Sequence, residues 1–179
     1  AFIATVNEIC NNGYDVDYIS DRYVRTTRCT NGQLVTSGGA SYKAIIVPGV
    51  KRMPADVLIH LEKLARQGAT IVFIGGMPED VPGYGNLNAR RTAFNKALNR
   101  LNATDRTRKG RIILGDDYHE TLALCGVQPE ELKTQYGLQF IRRCNDKGHH
   151  YFISALQPEG VDNWITLSVD DVDAMIFDP

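Results

Sequence analysis

Apolar residues recur at three- and four-residue spacing from the start of the chain, at Phe2, Ile3, Val6, Ile9 and Cys10. Gly13 follows where a helix end takes a left-handed residue, so the pattern predicts an amphipathic helix over 2–12. From Asp15 to Ser20 the period changes to alternation, with Val16 and Tyr18 between polar neighbours, and a strand is expected there. After a polar stretch with a turn at Asn31-Gly32, the run Tyr42 to Pro48 carries consecutive apolar residues, the habit of a strand covered on both faces. Pro54 stands at a first helical position and Val57, Leu58, Leu61, Leu64 and Ala65 form one stripe up to Gly68. Ala69 to Ile74 predicts a second buried strand and Arg111 to Leu114 a third. Between them, Asn88 is expected to cap a helix with Phe94, Ala97, Leu98 and Leu101 facing inward. Asp117 with Glu120 has the spacing of a capping box for a further helix that Gly126 ends.

Strands and helices in this alternation predict an α/β fold with a parallel sheet wound on both faces. Such a sheet ordinarily opens on a strand ahead of its first helix. The chain opens on Ala1 with no initiator Met, so a preceding segment containing that strand is expected, its absence leaving a gap in the sheet. Beyond Pro129 the pattern is one of short alternating stretches, Leu138 to Cys144, His150 to Ala155 and Trp164 to Val169, with a turn at Asn145 to Gly148. These read as antiparallel strands, and residues 173–179 as one more. The expected division is an α/β domain over 1–128 and a β-strand segment over 129–179 that is either an appendage to the sheet or the opening of a β-sandwich.

Composition narrows the function classes. Twenty Lys and Arg against 21 Asp and Glu give a net charge of −1, which offers no field for nucleic acid or an acidic membrane. The one basic stretch, Arg100 to Arg111, has no interleaved aromatic residues and reads as a solvated loop. No apolar run reaches the roughly 18 residues of a membrane span. Cys10, Cys29, Cys125 and Cys144 lie far apart without zinc-site spacing; the even count permits disulfides, while Cys10 and Cys125 fall on apolar helix faces, as buried thiols would.

Wound sheets bind ligands beyond the carboxyl ends of their strands. The loops there carry Ser20-Asp21, Gly49 to Arg52, Gly75 to Asp80, and Gly115 to Asp117 with His119. None presents a Ser or Cys nucleophile on a tight strand-to-helix turn, and no glycine-rich phosphate cradle follows a strand. Carboxylates remain. Glycosidases use a pair about 5–10 Å apart, one of them raised in pKa to donate a proton. Glu79, Asp80, Asp116 and Asp117, with His119, are the candidate ligand or metal contacts, calcium being the metal such acids would take. Blander roles compete: Asp117 is explained as a helix cap, and Glu79-Asp80 lies in a Pro-rich loop. No residue is assigned a catalytic role. His149 and His150 point to opposite faces of a strand, and His60 is placed on the solvent side of its helix. Trp164 reads as a core aromatic, with a sugar-stacking platform as the alternative. Asn102-Ala103-Thr104 matches the glycosylation pattern, which is short enough to occur by chance.

The segments GYDVDYISDRYV, SYKAIIVPGVKRMPADVLIHLEKLARQGATIVFIGGMPEDVPG and FIRRCNDKGHHYFISA resemble the C-terminal portion of α-L-rhamnosidase-type glycoside hydrolases, family 106-like, of Bacteroidetes and related bacteria. The matching words are Tyr42 to Pro48, Leu64 to Val72 and Pro78 to Gly83, and the likeness spans most of 13–156. It departs where the family commonly has a His-Arg pair and this chain has Arg142-Arg143, and at Ala155, where Asn is common.

The resemblance implies a longer, secreted parent enzyme, periplasmic or extracellular, acting on a plant-type glycan. The catalytic carboxylates would lie on an upstream (β/α)₈ barrel, which takes about 250 residues and cannot fit here. It also implies a flavodoxin-like or amidotransferase-like form of the wound sheet. The segment would be an inactive accessory domain whose partners are the parent's other domains, without a cofactor, and its loop Met77 to Asn86 would be the piece nearest a substrate cleft. Alternatives are an independent sugar- or small-ligand-binding module, and the wound domain of a β-galactosidase-type enzyme; an amidotransferase-like enzyme lacks its nucleophile. Exposed apolar surface is expected around Phe2, Val6 and Ile176-Phe177.

Overall fold

The computed structural model describes residues 2–103, 109–157, 160–170 and 173–177. In chain order the elements are α1 (Phe2–Asn11), α2 (Asp21–Val24), β1 (Arg28–Thr30), β2 (Gln33–Val35), β3 (Ser41–Tyr42), β4 (Ala44–Val47), α3 (Ala55–Gln67) and β5 (Thr70–Ile74). They continue with α4 (Leu87–Asn102), β6 (Arg111–Gly115), α5 (Tyr118–Leu124), α6 (Glu131–Tyr136), β7 (Leu138–Asn145) and β8 (Gly148–Ala155). The chain forms two compact units, one of residues 1–2 and 17–127, the other of residues 3–16 and 128–179.

The first unit is built on a parallel sheet in the order β4-β5-β6, with Val72 opposite Ile46 on one side and Ile113 on the other. Strand β5 lies at its centre because TIVFI carries apolar residues at consecutive positions and so suits a site covered on both faces; Ile71, Val72 and Phe73 are fully buried. One face packs Ile71 and Phe73 against Leu58, Leu61 and Leu64 of α3 and Phe94, Ala97 and Leu101 of α4. The other packs Val72, Ile74 and Ile113 against Tyr118 and Cys125, from α5 and its C-terminal end. Burying a side chain such as Phe73 stabilises the fold by roughly 2–3 kcal/mol. The α/β class expected from the alternation is the class observed.

Two helix starts differ from expectation. Pro54 is the N-cap of α3 rather than its first helical residue, with φ −56° and ψ 136°, an extended geometry proline adopts readily. The cap of α4 is Asn86, in the left-handed region at φ 50°, so Asn88 sits inside the first turn. At α5 the expectation holds: the Asp117 carboxylate accepts from the Glu120 amide at 2.8 Å.

A second small sheet, antiparallel β1-β2-β3, turns at Asn31 and Gly32, whose φ values of 53° and 81° are those a tight hairpin requires. His60 is not on the solvent side: it is half-buried, with Nε2 2.9 Å from the carbonyl oxygen of Thr27, just ahead of β1, so this contact outweighs solvation. The four cysteines are free thiols, and burial pushes the thiols of Cys10 and Cys125 up. The expected strand Asp15 to Ser20 does not form, since alternation needs a neighbour to pair with and the described residues supply none.

The second unit contains α6 and the hairpin β7-β8, whose register runs from Leu138↔Ala155 to Asn145↔Gly148. Its organising group is Glu130, fully buried. One carboxyl oxygen accepts from Arg142 at 2.7 Å and from the Tyr151 hydroxyl at 2.6 Å; the other accepts from the Ser168 amide at 3.0 Å. Burial, followed by the hydrogen bond to Glu130, holds the Tyr151 phenol up at about 12. The Glu130 amide donates to the Gly13 carbonyl at 2.8 Å. Gly13 has φ +83°, and a Cβ there would lie 2.1 Å from the Glu130 carbonyl oxygen, so glycine is required twice over.

Two expectations for this unit are overturned. Trp164 to Val169 is not a strand, because its backbone is held by side chains instead of a neighbouring strand: Tyr136 Oη donates to the Trp164 carbonyl and Asn163 Oδ1 accepts from the Trp164 amide. Trp164 is no core residue either, being 94% exposed. The described residues 173–177 form no strand. Ile176 and Phe177 are exposed, as is Phe2, whereas Val6 is buried. The middle of the basic stretch, 104–108, and Thr104 of the glycosylation pattern lie outside the described residues.

Arg142 also pairs with Asp15 at 3.1 Å, so Arg142→Ala strips the buried Glu130 of its cation. A loss of about 3 kcal/mol is expected from urea unfolding followed by far-ultraviolet circular dichroism. A change below about 0.5 kcal/mol would show that Glu130 does not depend on this pair.

Candidate functional site

The carboxyl ends of β4, β5 and β6 converge on short loops. Gly49 packs so closely on the end of β5 that a Cβ there would come within 3.3 Å of the Ile74 carbonyl oxygen. The Gly75 amide donates to the Gly115 carbonyl at 3.0 Å, tying the ends of β5 and β6 together. The loops after β4 and β5 are zipped backbone to backbone: Glu79 donates to the Lys51 carbonyl at 2.9 Å, and Met53 to the Asp80 carbonyl at 3.0 Å. Lys51, Arg52, Glu79 and Asp80 are thereby brought into one strip.

Two consecutive arginines at the start of α4 fix this strip. Arg90 donates to the carbonyls of Pro82, Gly83 and Gly85 at 2.5, 2.8 and 2.7 Å, clamping the loop from within. Arg91 grips Asp80 through Nε at 2.9 Å and through Nη2 at 2.5 Å. The hydrogen bonds from Arg91, then that from the Val81 amide, hold the Asp80 carboxyl down at about 2. Such a group is ionised at any working pH and has no proton to donate. Glu79 is exposed beside it.

The remaining candidates lie on the loop after β6. Asp116, Asp117 and His119 are exposed, and the carboxylate of Asp117 is committed to its helix cap. Among the described residues no three His, Cys, Asp or Glu side chains are grouped as a metal ion would need. The structure therefore joins Glu79 and Asp80 to Lys51 and Arg52, and gives Asp80 and Asp117 structural partners.

Sequence reasoning missed Arg90, Arg91 and Glu130. Arg91 stands eleven positions from Asp80, on a helix surface where an arginine ordinarily meets water, so no local signal marks it. For Glu130 the signal was an acid next to Pro129 within reach of the Arg142-Arg143 pair, but only the folded hairpin brings Arg142 to it. Arg142 is thus internally engaged; Arg143 is exposed.

A wound parallel sheet with glycine-tightened strand ends and a clamped, charge-neutralised loop defines an α/β domain built for rigidity at its carboxyl edge. The chain belongs to the α-L-rhamnosidase family, glycoside hydrolase family 106, which it matches over residues 2–179. A solved structure of a rhamnosidase from Novosphingobium sp. PP1Y is similar to it at 23% identity, with a TM-score of 0.58. That likeness covers 76% of this chain and 14% of the rhamnosidase, so the chain spans about a seventh of that protein's length, and at this identity it concerns the fold. No curated protein matches the chain.

The Asp80–Arg91 pair makes a pH prediction. Because the folded carboxyl is held below its unfolded value of about 3.9, its stabilising contribution is present above that value and disappears as pH falls through about 2. Carboxyl-carbon NMR of Asp80 should show a midpoint near 2, rising toward 4 in Arg91→Ala. A midpoint already near 4 in the unaltered protein would mean the pair is open to solvent.

Proposed function

We propose that the chain is a non-catalytic accessory domain of a longer, secreted α-L-rhamnosidase-type enzyme, whose catalytic carboxylates lie elsewhere in the polypeptide. The observation that carries this reading is the commitment of the carboxyl-edge acids: Asp80 is locked in its ionised form by Arg91, and Asp117 caps α5. Hydrolysis of a glycoside requires two carboxyl groups facing each other across the bond, one of them protonated at working pH. The family match supports a rhamnoside as the parent's substrate class, and in this reading it belongs to a plant-type glycan reached through the parent enzyme. The short share of the Novosphingobium rhamnosidase that this chain spans is consistent with an accessory part. The parent would work in the periplasm or outside the cell; no helix among the described residues is long and apolar enough to cross a membrane. No cofactor is assigned, and the partners are the parent's other domains. The loop Met77 to Asn86 is rigid through Arg90 and carries the exposed Tyr84 outward, which suits a segment lent to a neighbouring cleft.

The 179-residue chain should release no more chromophore from an aryl α-L-rhamnoside than buffer does, and Asp116→Asn with Asp117→Asn should leave that trace flat. Turnover abolished by the double substitution would overturn the accessory reading.

One observation favours a second reading, direct contact with sugar: Trp164 exposes its indole while Tyr136 and Asn163 hold its backbone. An aromatic face of this kind stacks on the apolar face of a pyranose. As Trp164 is the only tryptophan, its fluorescence reports the contact directly. The accessory reading expects no change in emission on adding L-rhamnose or rhamnogalacturonan oligosaccharides; a saturable blue shift, absent with glucose, would establish the sugar-contacting role.

A further inference from the structure

Alternate residues of a strand point to opposite sides of it, so the contacts of Glu130 sort the hairpin of the second unit into two faces. Arg142 of β7 and Tyr151 of β8, a cross-strand pair, both turn toward Glu130. The pairs on either side of it, Ile141↔Phe152 and Arg143↔His150, therefore lie on the other face, with Gln139↔Ser154 beyond them. That face is open: Ile141 is 55% and Phe152 60% exposed, and Arg143 and His150 are exposed beside them.

The charge on this face is unspent. Arg142 is committed to Asp15 and Glu130, and in the turn Asp146 and Lys147 offset each other, whereas Arg143 has no carboxylate partner among the described residues. The imidazole opposite it is set in advance. Asn145 Oδ1 accepts from the Lys147 amide at 2.8 Å, which leaves Asn145 Nδ2, 3.0 Å from His150 Nε2, as a donor. A neutral His150 then accepts at Nε2 and carries its proton on Nδ1, a second donor beside the guanidinium. One face thus offers an aromatic ring with an aliphatic neighbour, and next to them two groups that donate to an anionic or hydroxylated ligand.

Size narrows the kind of partner. Two strands about 4.8 Å apart, over a length of roughly 17 Å from Gln139 to Arg143, make a strip of under about 200 Å². Each partner in a stable protein complex buries about 800 Å², so the strip by itself is too small for a folded protein. We propose that the outer face of the β7-β8 hairpin binds an extended acidic oligosaccharide, one that contains uronic acids. Phe152 and Ile141 take the apolar face of a pyranose. Arg143 pairs with the sugar carboxylate, which its planar fork of donors matches, and His150 donates to a hydroxyl. The proposal goes beyond the accessory-domain reading and does not need it, since the face belongs to this chain and no bond of the sugar is broken there.

Side-chain and amide NMR of the 179-residue chain tests this, with a short α-linked galacturonic acid oligomer as probe and a neutral galactose oligomer of the same length as control. The acidic oligomer should shift the signals of Ile141, Arg143, His150 and Phe152 saturably, while those of Cys144 and Tyr151 on the inner face stay in place. Arg143→Ala leaves the Glu130 contacts whole and should weaken binding at least about tenfold, as loss of a charge-assisted hydrogen bond does. Phe152→Ala should weaken it by about threefold or more, and added salt should weaken it in the unaltered chain. Absence of a saturable shift, or undiminished binding by Arg143→Ala, would overturn the proposal. Equal shifts from the neutral oligomer would overturn the acidic class, and equal shifts from a polyglutamate peptide would overturn the sugar. Shifts confined to Trp164 would place the sugar there and overturn it as well. Failure of the accessory-domain reading is seen separately, as rhamnoside turnover by the 179-residue chain, and leaves these shifts unchanged.

Discussion

A central parallel strand needs its backbone paired on both edges and its side chains covered on both faces, and among the described residues β5 is the strand that meets all four conditions. The rest of the first unit follows from that requirement. Helices α3 and α4 return the chain over one face between successive strands, and α5 closes the other after β6. The loops that leave the sheet at its carboxyl edge must then turn sharply over a tight backbone, which is why Gly49, Gly75 and Gly115 stand at the three strand ends.

The same edge shows how a fold can place acidic residues where ligands bind in many wound sheets and yet assign them elsewhere. Asp80 would be a credible acid on position alone. Its bidentate contact with Arg91 removes the proton a glycosidase would need, and spends its lone pairs on holding the loop. Arg90 holds the carbonyls of the following turn. The product is a loop braced from within that displays the exposed Tyr84.

The second unit solves a different problem. A two-stranded hairpin is marginal by itself, and α6 offers little apolar surface. Glu130 compensates by gathering an arginine and a tyrosine from β7 and β8 together with the backbone of Ser168, while its own amide reaches Gly13. A buried acid is costly unless every lone pair finds a donor, so the network specifies the arrangement of these segments closely.

The sequence by itself determined the three strands of the parallel sheet and their α/β class, the inward face of α4, the Asp117 cap and the β7-β8 hairpin, because each rests on local periodicity or on a residue's preference for one backbone geometry; that β5 alone is buried, while β4 is half-buried and β6 leaves Leu114 exposed, followed from the sheet order. It also carried the family, through the order of its segments. Only the tertiary structure decided the fate of Asp15 to Ser20, of Trp164 and of Asp80. A strand pattern needs a partner, an aromatic residue needs a cavity to be core, and a carboxyl group's pKa depends on which cation the fold brings to it. For Asp80 that cation is on the helix that follows; the Arg142 that pairs with the buried Glu130 comes likewise from a later element, β7. Such distances vanish only on folding, which is why no spacing in the sequence announced them.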